Sequence, residues 1–143
     1  MVGKDAQALF DHWQSANVLA THCPSRPILQ HLTSRWGTLV MIALATGPHR
    51  FAALRRKVGG VSERMLSQTL KDLEADGFVL RTAHAVVPPH VEYQLTELGQ
   101  EAGKHVVALA SWIEAAMPEI LPKKVVAGTF VTTHDERSPG NER

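Results

Sequence analysis

Apolar positions recur along this chain first at helical spacing, then by alternation, then at helical spacing again. Residues 5–20 set Leu9, Phe10, Trp13 and Val18 at roughly helical intervals. The prolines of CPSRP (23–27) break that segment, and ILQHL (28–32) has room for a turn or two of helix. Thr33 or Ser34 can cap the next helix, whose apolar face of Trp36, Leu39, Val40, Ile42, Ala43 and Leu44 runs to about Ala45. Gly47-Pro48 stops it. Phe51, Leu54 and Val58 define a second short helix over 50–58, and Gly59-Gly60 forms the turn behind it.

The stretch VSERMLSQTLKDLEADGFVLR (61–81) follows. Ser62 suits an N-cap, Glu63 places a negative charge at the positive end of the helix dipole, and the helix extends to about Asp76. Gly77 supplies a left-handed stop. Phe78, Leu80 and Thr82 then alternate, as do Val91, Tyr93 and Leu95, which predicts a β-hairpin around the loop AHAVVPPH (83–90). Thr96 and Glu97 open a long helix with an apolar stripe of Leu98, Ala102, Val106, Leu109, Ile113 and Met117, ended by Pro118. After Lys124 only VVAGTFV has strand character, and TTHDERSPGNER reads as a disordered tail. The fold class is therefore mainly α with a small β-hairpin. Short helices joined by a glycine turn, with a hairpin directly behind, form the winged helix-turn-helix pattern.

In the 63–76 helix, Leu66, Leu70 and Leu73 share one narrow edge, and Arg64, Gln68 and Lys71 project away from it. Arginine suits guanine edges or phosphates, glutamine suits adenine edges, and lysine suits phosphates or guanine. An isolated amphipathic helix ordinarily turns such a face to water. Its position after a Gly-Gly turn makes this one the helix that enters the major groove. Local charge agrees: residues 50–90 hold seven Lys and Arg against four Asp and Glu, on a chain whose formal net charge is only +1.

The 143 residues suffice for one domain, or one domain with extensions, and the 44% hydrophobic and 20% charged shares are ordinary for a globular protein. No run approaches the ~18 apolar residues of a membrane span. The N-terminus lacks a continuous apolar stretch followed by a cleavage site, so the expected location is cytoplasmic. Enzyme readings lack parts: there is no G-x-S-x-G, Gly-rich phosphate loop or H-E-x-x-H. His12, His22, Cys23 and His31 match no closed zinc spacing, so neither a metal nor a cofactor is expected. Trp13, Trp36 and Trp112 are most simply core and interface anchors. Cys23, the sole cysteine, is either an inert, partly buried thiol or a reactive one activated by His22, Arg26 or the helix beginning soon after.

From Cys23 to Gly99 the sequence resembles the HxlR-type bacterial transcriptional regulators, most specifically in GVSERMLSQTLKDLEADGFV and VPPHVEYQLTELG. The resemblance implies a homodimeric winged helix-turn-helix protein that binds operator DNA, with recognition helix 63–76 and wing 78–95. By position, the DNA-facing residues are Ser62, Arg64, Met65 and Gln68, with Arg50 before them; Lys71 is a phosphate contact at best. The family commonly carries Arg after the two prolines, where this chain has His90, a side chain whose charge depends on pH. Ser34-Arg35-Trp36 replaces the usual Gly-Lys-Trp, which keeps the charge and the aromatic. The implied dimer interface joins Leu9, Phe10 and Trp13 of an N-terminal extension (1–22) to Leu109, Trp112 and Ile113 of a C-terminal helix (97–122). The DNA-binding domain would occupy 23–96 and the tail 123–143. Some members sense oxidants through an N-terminal cysteine, which makes Cys23 the candidate sensor for an oxidant or small-molecule effector. The expected function is a homodimeric repressor reading a pseudo-palindromic operator. The alternative is a winged-helix module that binds protein and not DNA.

Overall fold

The computed structural model describes residues 3–7 and 17–128, and within 17–128 the helices Ser25–Thr33 and Arg35–Leu44 lie ahead of the first strand. Helix α1 spans Ser25–Thr33 and carries Pro27 in its first turn, where a missing N–H leaves no hydrogen bond unmade. The proline pair expected to break the chain thus starts a helix. Ser34 caps α2 (Arg35–Leu44) by accepting from Gly37 N at 3.0 Å, while the Thr33 hydroxyl turns back to the Leu29 carbonyl. Strand β1 (His49–Arg50), helix α3 (Phe51–Lys57) and helix α4 (Glu63–Ala75) follow, then strands β2 (Val79–His84) and β3 (His90–Leu95) and helix α5 (Glu97–Val126).

The core is built where these elements converge. Val40, Met41 and Leu44 of α2, Leu54 of α3 and Leu66, Leu70 and Leu73 of α4 are almost fully buried, closed over by Phe78, Val79, Leu95 and Val106. Each such side chain contributes about 1.5–3 kcal/mol on burial. This packing fixes the inward edge of α4, and so fixes which side chains it presents outward. His31 Nδ1–H donates to Asp76 Oδ2 at 2.6 Å and ties α1 to the end of α4.

The sheet has three strands in the order β1-β3-β2, all antiparallel, and so exceeds the expected hairpin. A two-residue strand is too short to show alternation, so only the partner's register reveals it: His49 opposes Tyr93 and Arg50 opposes Glu92. The phase of β2 also differs from the expected one. Val79 opposes Leu95 and is buried, and Leu80 is exposed. Phe78 misled the pattern because it precedes the strand, closing α4 with a bond from its N–H to the Leu73 carbonyl at 2.9 Å. Gly77 takes φ +88, as a left-handed stop requires.

The buried face of α5 begins with Gly99 and Gly103, one position off the expected Leu98 and Ala102, and joins the expected stripe at Val106; Leu98 is exposed. A Cβ on Gly99 would come within 1.9 Å of the Phe78 carbonyl oxygen, so this face works by close approach of bare backbone. The helix also passes Pro118 and Pro122 and ends at Val126, beyond both expected limits. Each proline removes one N–H donor, while the residues between them keep helical geometry. Val125 and Val126, expected in a strand, are helical. Residues up to Ala108 belong to one unit of the chain and those from Leu109 to another.

Candidate nucleic-acid interface

Helices α3 and α4, joined through Gly59-Gly60, form the helix-turn-helix, and β2–β3 stands directly behind as the wing. Gly60 takes φ +89, a conformation that favours glycine. At the turn's exit the Ser62 hydroxyl accepts from Met65 N at 3.1 Å. That bond uses a lone pair and leaves the hydroxyl hydrogen to donate outward. The N–H groups of Glu63 and Arg64, ahead of the capped one, have no intrahelical partner and point the same way, an arrangement suited to a phosphate. Glu63 sits there as a negative charge, and Arg55 Nη1 lies 3.4 Å from its carboxylate. Because both side chains are well exposed, the pair matters for local charge more than for stability.

Arg64, Met65, Gln68 and Lys71 are all exposed on the outer side of α4, and Met65 keeps 45% of its surface in water. Among the described residues, neither Arg64 nor Lys71 has an ion-pair partner. Gln68 donates its amide to Asp72 Oδ1, one turn along the same helix, at 3.0 Å. Arg50 is the exposed N-cap residue of α3. His90 is half-buried, opposite His84 at the end of the β2–β3 ladder, and the two rings stack with centroids 4.7 Å apart. His84 Nε2 is buried without a hydrogen-bond partner among the described residues, 4.0 Å from Glu92 Oε1.

Arg56 and Arg81 contributed to the charge count but received no role from the sequence. Both are exposed, and neither has an ion-pair partner among the described residues. Lys57 donates to Thr46 Oγ1 at 2.6 Å, so its charge is partly committed within the fold. The Arg35 guanidinium lies over the Trp36 ring at 4.5 Å, and Trp36 packs against the core.

Cys23 is buried just ahead of α1, with Sγ 3.0 Å from Ser25 Oγ. Hydrogen bonding from the Ser25 hydroxyl, then from its backbone N–H and that of Arg26, outweighs burial and lowers the thiol's pKa. Leu109, Trp112 and Ile113 of the second unit are exposed, Trp112 by 64%. Leu9, Phe10, Trp13 and His12 lie outside the described residues. No helix among the described residues is long and apolar enough to cross a membrane.

A capped helix with outward donors, set between a glycine turn and a wing, defines a winged helix-turn-helix transcriptional regulator. Residues 31–120 match the family model described as HxlR-like helix-turn-helix, and the chain belongs to that family. It is 55% identical to the HTH-type transcriptional regulator YtfH of Escherichia coli (strain K12) over 114 residues, covering 80% of this chain and 90% of that one. The structure of the transcriptional regulator ytfH from Salmonella typhimurium superposes with a TM-score of 0.72 at 55% identity, over 76% of this chain and 97% of that one. The redox regulator HypR in its oxidized form superposes at 0.60 with 35% identity, over 65% and 96%.

Proposed function

We propose that this chain is a homodimeric repressor that reads a pseudo-palindromic operator through α4. The observation that carries the reading is the outward row of Arg64, Met65 and Gln68 on a helix whose opposite edge is locked into the core. Arg64 pairs with guanine edges, Gln68 with adenine edges, and Met65 meets a thymine methyl. Arg50, Ser62, Lys71 and His90 hold phosphates, and these contacts fix register without reading sequence.

Dimerisation uses Leu109, Trp112 and Ile113 together with Leu9, Phe10 and Trp13. Three large apolar side chains exposed within two turns of a helix are the kind of surface that a second copy covers. The two α4 helices then enter successive major grooves about 34–36 Å apart. The lowered pKa of Cys23 supports a thiol-reactive signal acting there, in line with the relative described as a redox regulator.

Fluorescence anisotropy of labelled genomic duplexes across a salt series tests this reading. Affinity should fall along a straight line of log K against log salt, with a slope of about −0.9 per phosphate contacted. Absence of binding to any duplex at low salt would favour a module that binds protein.

A further inference from the structure

Between the end of α2, the turn at 45–48, strand β3 and the first turns of α5 lies an open-sided cleft of about 410 Å³. None of the residues assigned above to DNA or to a partner copy lines it. Leu44, Leu95 and Val107 supply an apolar wall, and Gly103 presents no side chain to fill the space beside them. Gln94, Gln100 and Lys104 supply the polar side, and no acidic residue lines the cleft. None of those three side chains has a hydrogen-bond or ion-pair partner among the described residues. Its volume lies within the ~300–1,000 Å³ of small-molecule sites, which combine apolar walls with a few polar groups.

We propose that this cleft binds a small monocarboxylate with an apolar body. The body lies against Leu44, Leu95 and Val107. The carboxylate accepts from the Lys104 ammonium and from the side-chain N–H groups of Gln94 and Gln100, and the ionic bond is the stronger of the two kinds. A neutral ligand would leave the ammonium without a counter-charge, and a dianion would meet one cation where it needs two. The turn at 45–48 runs directly into β1, whose Arg50 caps α3, and Gln94 and Leu95 belong to the wing strand β3. An occupant therefore bears on two supports of the helix-turn-helix. On the reading of this chain as a DNA-binding regulator, occupancy changes its affinity for the operator.

Hexanoate, with 1-hexanol as its neutral counterpart, tests the site on the full chain by calorimetry and amide NMR. The expected result is saturable one-site binding of hexanoate, with shifts centred on Ala45, Gln94, Lys104 and Val107 and binding at least fivefold weaker for 1-hexanol. Lys104→Met, at an exposed position, and Val107→Phe should each weaken hexanoate at least fivefold with unchanged circular dichroism. Unsaturable binding, or Lys104→Met binding as tightly as wild type, overturns the site. Hexanoate should also change duplex affinity at least threefold in wild type and not in Lys104→Met; an unchanged affinity overturns the coupling. Saturable hexanoate binding by a chain that binds no duplex in any condition overturns the regulator reading, and the coupling with it, while supporting the site.

Discussion

Gln68 donates its side-chain amide to the Asp72 carboxylate at 3.0 Å, so a residue assigned to base reading is held along its own helix in the free protein. To reach an adenine edge the amide must leave an acid that also repels phosphates. Asp72→Ala removes both obstacles. Hydrogen bonds of this kind one helical turn apart are worth about 0.2–0.5 kcal/mol, so Asp72→Ala should tighten duplex binding by at least a comparable amount, measured by anisotropy at fixed salt. Folding stability should hold, because an acid near the negative end of a helix dipole is unfavourably placed.

Gly99 gives a sharper structural prediction. A methyl group there would drive into the Phe78 carbonyl, which is backbone and cannot swing aside. Gly99→Ala should cost ~3 kcal/mol, the upper part of the usual range for overpacking, in urea unfolding followed by circular dichroism. Gly47→Ala is a useful contrast, since nothing lies within 4 Å of a Cβ there and only its positive φ opposes the change.

For the dimer, Trp112→Asp places a charge in the exposed Leu109–Ile113 patch. Sedimentation velocity should give a dimer for wild type and a monomer for the variant at the same concentration. The variant should retain its helix content and lose most of its operator affinity.

Cys23 carries a pH prediction whose sign follows from its lowered pKa. In a window below the ordinary thiol range, the folded state holds fewer protons than the unfolded chain. The resulting stabilisation is complete above the unfolded pKa and is lost as pH falls through the folded one. Alkylation by iodoacetamide should accordingly titrate at lower pH than a free cysteine, near 8.5. Burial should hold the plateau rate below that of N-acetylcysteine. A titration at or above the free value would contradict the hydrogen-bonded geometry at Ser25.

The helix-turn-helix was legible because its signals are local. Ser62, the Gly59-Gly60 turn and Gly77 each dictate backbone geometry within a few residues, and the leucine edge of α4 fixed its outward face. What the pattern missed depends on partners distant in sequence. Strand β1 exists only against β3, Val79 faces inward only because it opposes Leu95, and the His31–Asp76 bond spans 45 positions. The first turns of the buried face of α5 went unread for a different reason, although Val106 beyond them stood on the expected stripe. Gly99 and Gly103 make those turns, and glycine carries no side chain for a hydrophobic period to register.

Arg64 bears the central claim most directly. It is exposed, without an ion-pair partner among the described residues, and one residue into α4 from its first position. If it reads a base, Arg64→Ala should lose about 1–3 kcal/mol on the cognate operator and distinctly less on random duplex, so that specificity relaxes. Anisotropy of both duplexes at one salt concentration decides the matter. Equal losses on the two would reduce Arg64 to a phosphate contact and contradict α4 as the sequence reader.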